Sequence, residues 1–294
     1  MALWPFGGKK EVTLSPDQRS ALGKVVGNAK FEIIPLKNVK EQAAAIPPNS
    51  QVTVTASPAH TLEYTLEICE FVQGLNQGHE ITPHFSARMT RDRAQLTDLL
   101  QRARAIGLTK VFVVGGDAKE PGEYPDGLAL LRGMNEIGHP FRDIGVPSYP
   151  EGHADIADDV LMKSLKDKAQ YANQTTTQMC FNPERVEGWI NKIRADGITL
   201  PIYLGVPGVL ELTKLMTIAG RIGVGESAKF LSKNLGLLGV LASPGSFGAD
   251  AYLKGLADTI ARPESRVTGL HIFTMNQVPA TAAWHRKFVE DLRH

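Results

Sequence analysis

Glu32 sits in the apolar run Phe31-Glu32-Ile33-Ile34, and it is the residue whose chemistry is easiest to name. An ionised carboxylate is costly to bury there, so it needs a partner or a raised pKa. A raised pKa suits a general acid, and a salt-bridged structural glutamate is the plainer alternative. His84, in Pro83-His84-Phe85, offers either a cofactor hydrogen bond or a satisfied core imidazole, and taken alone the core reading is the better one. Gly115-Gly116-Asp117 lets backbone approach a ligand closely and then presents a carboxylate, although GGD by itself is a common turn. Gln178 follows three threonines, and its amide could read a heterocycle edge or bond across strands. Thr55, the stretch from Tyr149 to His153, and Asn276 are further polar residues beside apolar runs.

These residues share a position. They lie in or just after short apolar runs bounded by turn residues: 31–36, 51–57, 80–87, 110–116, 144–149, 175–181, 201–206 and 269–276. Between the runs, apolar residues recur at helical spacing, as in Leu62, Leu66, Cys69 and Val72, or Leu96, Leu99, Leu100 and Ala103. Asn182 before Pro183 is an N-cap with proline at the first helical position, and Gly197 can close that helix. Eight such βα units in 294 residues predict one (β/α)8 TIM barrel, since that fold needs about 250 residues. We expect residues 1–30 to be an N-terminal extension and residues 31–294 the barrel catalytic domain. A doubly wound sheet shares the alternation, but Pro35-Leu36-Lys37-Asn38 after the first run is no glycine fingerprint. The glycine-containing segment 242–252 reads as a loop in an insertion between the last two strands. Barrel active sites form where strands finish, which is where the polar residues gather.

Composition narrows the function classes. A formal net charge of +1 with 21% charged residues gives no electrostatic reason to bind nucleic acid or an anionic membrane. Cys69 and Cys180 lie in apolar runs without metal-ligand spacing, so no metal is expected. Residues 1–10 lack a signal-peptide pattern, and no run approaches the roughly 20 apolar residues of a membrane span. A cytoplasmic protein is the expectation, with its oligomeric state left open.

From Phe31 to about Trp284 the order of motifs resembles the methylenetetrahydrofolate reductase family. Phe31-Glu32 with Pro35 is similar to the family's FEFFPP strand, Pro83-His84 to its PH pair, and Gly116-Asp117 to the end of its RGD element. Tyr149-Pro150-Glu151-Gly152-His153 resembles YPExHP, Thr177-Gln178 with Phe181 resembles TQFFF, and the run from Gly269 to Asn276 resembles GLHFYTLN. The resemblance implies a folate substrate, a nicotinamide reductant (NADH or NADPH) and Glu32 as general acid. Protonation at folate N10 would open the five-membered ring to an iminium that accepts a hydride. Asp117, Gln178 and Asn276 would then face the substrate. Thr55, His84, Gly115, Gly116, Tyr149 and His153 would face the cofactor.

The chain departs from the family pattern where its FAD would be held. Gly115 replaces the arginine of RGD, and Gln277 stands where TLNR has arginine. Asp167, within Leu165-Lys166-Asp167-Lys168, replaces an arginine of LKRK and would repel a diphosphate. Flavin retention is therefore in doubt, and direct transfer from NADH, bound in the space a flavin would take, is the expected chemistry. The alternatives are a conventional FAD-dependent reductase holding its diphosphate with Lys166 and Lys168, a folate-binding barrel without catalysis, and a folate-dependent methyl or demethylating enzyme. No regulatory domain is expected beyond the last helix.

Overall fold

Each of the eight expected runs forms a strand, and their hydrogen bonds close into a ring. The computed structural model describes residues 13–221, 246–247 and 249–293. Its strands are β1 (Ala29–Ile33), β2 (Gln51–Val54), β3 (Glu80–Ser86), β4 (Lys110–Val114), β5 (Asp143–Ser148), β6 (Gln174–Thr177), β7 (Ile202–Pro207), β8 (Leu210–Glu211), β9 (Ser246–Phe247) and β10 (Val267–Phe273). The closed barrel runs β1-β10-β7-β6-β5-β4-β3-β2, all neighbours parallel, while β8 and β9 pair antiparallel outside it. The chain is a single-domain (β/α)8 TIM barrel.

The helices are α1 (Pro16–Gly27), α2 (Val39–Ala44), α3 (Leu62–Gly74), α4 (Arg93–Ala105), α5 (Gly127–Ile137), α6 (Asp158–Lys168), α7 (Pro183–Ala195), α8 (Leu212–Arg221), α9 (Asp250–Gly255), α10 (Ala257–Ala261) and α11 (Val278–Asp291). Polar caps start several of them: Thr61 for α3, Asp92 for α4, Asp126 for α5 and Asn182 for α7. The apolar stripes of α3 and α4 are buried as their spacing requires. In α1 a capping box of Ser15 with Gln18 sets the start, and Leu22, Val25 and Val26 are buried. Asn28, just beyond α1, donates to the Tyr203 hydroxyl and to the Thr268 carbonyl, which ties α1 to the N-terminal mouth of the barrel. No helix among the described residues is long and apolar enough to cross a membrane.

Several strands end short of the sequence expectation, β1 and β6 among them for reasons visible locally. β1 already begins at Ala29 and ends at Ile33 rather than Leu36. Pro35 has no N–H to give a ladder, and the backbone of Ile34 bonds the Asn276 side chain instead. β6 ends at Thr177 rather than Phe181, where the Gln178 N–H turns to the Ser148 carbonyl. The segment 242–252 is not a loop throughout. Asp250–Gly255 is helical, held by Trp284 Nε1 donating to Asp250 and by burial of Tyr252 and Leu253, whereas residues 242–245 and 248 lie outside the described residues.

Inside the barrel, missing side chains make room for rings. A Cβ on Gly145 would come within 2.6 Å of the Phe112 ring, one on Gly269 within 2.5 Å of the Tyr203 ring, and one on Gly205 within 2.8 Å of the Phe273 ring. Small and large inward residues therefore alternate around the barrel, which fills its interior. The lowest layer is polar: Lys30 Nζ bonds Gln174 Oε1 and lies 3.6 Å from the Tyr203 ring centre, and Gln174 donates onward to Asp143 at 2.6 Å. Burial lowers the Lys30 pKa to about 8, with the Asp143 carboxylate the largest opposing influence.

Gly205→Ala must displace both the Phe273 ring and the Thr177 backbone carbonyl, so it should destabilise the fold by about 1–3 kcal/mol. Gly188→Ala in α7 meets nothing within 4 Å and should raise stability by about 0.5–1 kcal/mol. Melting temperatures of the two variants should move in opposite directions. A fall for both, or for neither, would refute this account of the interior.

Candidate active site

Side chains alternate across a strand, so Glu32 on β1, His84 on β3, Phe112 on β4 and His271 on β10 all point to the barrel axis. The Glu32 Oε2 atom lies 2.8 Å from His271 Nε2 and 3.9 Å from His84 Nε2. All three residues are buried, Glu32 being 7% exposed and His271 1%. Thr274 Oγ1 donates to the Glu32 carbonyl, which fixes the strand carrying the carboxylate. Phe112 packs on both imidazoles, with ring centres 4.8 Å from His84 and 6.0 Å from His271.

The sequence argument asked for a partner for Glu32, and the partner is His271, a residue it did not single out. The signal was available: His271 is the one polar side chain between Leu270 and Ile272 in the last strand, on the inward parity of Gly269 and Phe273. Burial lowers the His84 pKa to about 4, against the Glu32 carboxylate that would raise it, so the His84 ring is neutral at pH 7. His84 Nε2 and His271 Nδ1 have no hydrogen-bond partner among the described residues, nor have the hydroxyls of Thr53, Ser86 and Thr176. Buried polar atoms left unpaired within a barrel are positions for a ligand or water to satisfy.

A cleft of about 590 Å³ lies between the ends of β4 and β5 and helices α6 and α7, and none of Glu32, His84 and His271 lines it. Gly115, Ser148, Tyr149, Gly152 and Lys168 are among its lining. Lys168 is 8% exposed, and burial lowers its pKa to about 8, with the Asp126 carboxylate opposing. Asp167 does not line the cleft, because its carboxylate is paired 2.6 Å from Lys163 one helical turn away.

The other expected site residues are distributed as follows. Gly115 and Tyr149 line the cleft, and a Cβ on Gly115 would meet nothing within 4 Å. Gly116 adopts φ +86°, and a side chain there would overlap the Ser86 hydroxyl, so its glycine is required by the fold itself. Asp117 is exposed, and its charge adds to burial in raising the Tyr149 pKa. Its loop is held by Arg88, which donates to the Ala118 and Lys119 carbonyls. His153 stacks edge-on against Tyr149 at 5.4 Å, and Cys180 Sγ bonds Glu151 at 3.1 Å, which pins the segment after β5. Gln178 is half-buried, with its Oε1 accepting from the Met179 N–H, and Thr55 is half-buried just past β2. Asn276, at φ +53°, engages its amide with the Ile34 backbone and Asn38, so it clasps the ends of β1 and β10 together.

Comparisons with known proteins bear on the fold and on the family. Among solved structures, a plant class V chitinase mutant from Cycas revoluta superposes with a TM-score of 0.53 at 11% identity, over 90% of this chain and 99% of that one. Oxaloacetate acetylhydrolase gives 0.52 at 9% identity, over 97% and 88%. Likeness at such low identity shows the barrel fold alone. By sequence, methylenetetrahydrofolate reductase 1 of Schizosaccharomyces pombe is 26% identical over 186 residues, 60% of this chain and 30% of that protein. A probable methylenetetrahydrofolate reductase (NADPH) of Caenorhabditis elegans is 28% identical over 137 residues, 44% of this chain and 20% of that protein. The matches therefore span under a third of the length of those relatives. The family model for methylenetetrahydrofolate reductase matches residues 36–287, nearly the whole barrel, and the chain belongs to the methylenetetrahydrofolate reductase family.

Proposed function

We propose that this chain reduces 5,10-methylenetetrahydrofolate to 5-methyltetrahydrofolate with NADH or NADPH, by direct hydride transfer without a flavin. The observation that carries the reading is the buried Glu32 carboxylate bonded to His271 on the barrel axis of a member of this family. A proton held between Glu32 and His271 is shielded from bulk water and available to folate N10. Asp117, at the rim, supplies negative charge where positive charge develops on the opened substrate. Gln178, its amide oriented by the Met179 N–H, offers hydrogen bonds to the pterin edge. The reduced nicotinamide would supply the hydride, and the cleft lined by Gly115, Tyr149 and Lys168 is the space we assign to its dinucleotide. Glycine at 115 leaves open the space where the family pattern places an arginine, which supports the absence of a flavin.

One observation favours the conventional FAD-dependent reading. Lys168 faces the cleft while Asp167 is tied to Lys163, so the lysine is available to a flavin diphosphate as well as to that of a nicotinamide dinucleotide. An absorption spectrum of the purified chain separates the two. We expect no flavin bands, together with anaerobic NADH oxidation that requires methylenetetrahydrofolate. Bound flavin would overturn direct transfer. Absence of folate-dependent oxidation both with and without added flavin would overturn the reductase reading.

Glu32→Gln keeps the shape and one hydrogen bond but cannot deliver the proton. Turnover should fall about 10²–10⁴-fold while folate binding, followed by fluorescence titration, is retained. Unchanged turnover would remove Glu32 as the acid.

Lys168 is charged below its pKa of about 8 and neutral above it. The KM for the nicotinamide substrate should therefore rise as pH increases through about 8. Lys168→Met should raise that KM about tenfold or more at pH 7 and abolish its dependence over this range. A KM indifferent to both changes would place the phosphates elsewhere.

A further inference from the structure

Glu32, His84 and His271 together form a donor set with a second capability. One carboxylate oxygen and two imidazole nitrogens lie within 4.8 Å of one another, all three residues buried. We propose that this cluster is a binding site for a divalent transition-metal ion of the Zn²⁺ class. A tetrahedral Zn²⁺ with bonds of about 2.0–2.1 Å sets its donor atoms about 3.3 Å apart. The distances from Glu32 Oε2 to the two Nε2 atoms, 2.8 and 3.9 Å, bracket that spacing.

The geometry is prepared rather than assembled on demand. The three ligands stand on β1, β3 and β10 of one closed sheet, so their backbones are fixed relative to one another. Ring packing limits the imidazoles further: Phe112 lies 4.8 Å from His84, and Phe273 lies 4.9 Å from His271. His84 Nε2 is buried without a hydrogen-bond partner among the described residues, and it faces the carboxylate. A buried ring nitrogen without a partner costs free energy, and with its proton on Nδ1 His84 would recover it by ligating a cation. His271 can present Nε2 to the ion by keeping its proton on Nδ1, which also lacks a partner.

The chemistry of the donors sets the selectivity. Two imidazoles and one carboxylate favour Zn²⁺, Co²⁺ and Ni²⁺ over Mg²⁺ and Ca²⁺, which require oxygen ligands. No carboxylate or carbonyl among the described residues braces the far nitrogen of His271, so binding should be reversible and removable by a chelator. An ion there occupies the lone pair of Glu32 that must otherwise carry a proton. Occupancy therefore inhibits the acid step, a consequence that rests on the function proposed above, whereas binding itself does not.

The test titrates the chelator-treated full chain with Co²⁺, following its visible ligand-field bands, and then displaces Co²⁺ with Zn²⁺. We expect intensified bands that saturate at one ion per chain, displacement by Zn²⁺ but not by Mg²⁺, and inhibition by Zn²⁺ over the same concentration range. His84→Gln and His271→Gln should each weaken binding at least tenfold, with circular dichroism showing that each variant is folded; if one does not fold, the other decides. A Co²⁺ spectrum matching that of the free aqueous ion would overturn the site, as would bands unchanged in the folded variants. Bands in a chain without reductase turnover would uphold the site and overturn the reductase reading alone.

Discussion

The contact between Glu32 and His271 closes the chain chemically as well as structurally. β1 and β10 are the first and last strands of the barrel, and their pairing is the seam that completes it. A carboxylate on that seam is tolerable only because an imidazole on the partner strand meets it at 2.8 Å. Remove the histidine and a buried charge is left without its nearest partner; remove the seam and neither residue is positioned. The clasp made by Asn276 reinforces the same seam from above, taking the Ile34 backbone where β1 stops. Stability and chemistry thus draw on one set of contacts.

Around that seam the interior is stratified. The lowest layer is a hydrogen-bonded polar floor of Lys30, Gln174 and Asp143, with Asn28 and Tyr203 joining it to the segment after α1. Above it, glycines at 145 and 205 admit the rings of Phe112 and Phe273, which pack on the imidazoles of the Glu32 cluster. The rim carries the exposed Asp117 carboxylate and Tyr149, which lines the cleft. Such layering separates groups that must be dry from groups that must reach a soluble ligand.

The cleft shows how one helix can place neighbouring charges in different environments. Lys168 and Asp167 are adjacent in sequence, yet one lines the cavity and the other turns to Lys163 on the surface. Successive residues on a helix are about 100° apart, so a charge change at one need not reach the site of the other.

Sequence alone determined the eight βα units, the apolar faces of α3 and α4, the capped start of α7, and the burial of Glu32 within an apolar strand, because periodicity and chain length are local and additive. It also supplied the motif order from which the family resemblance followed. It could not decide who meets Glu32, since residues 32 and 271 are joined only by closure of the sheet. Nor could it tell that Asn276 clasps a backbone, that Gly116 yields to Ser86, or that Asp250–Gly255 is a helix. Each of those depends on contacts between distant parts of the chain or on a helix too short to show a period. Tertiary structure decided them because register, ring packing and barrel closure fix the positions of side chains that no local pattern constrains.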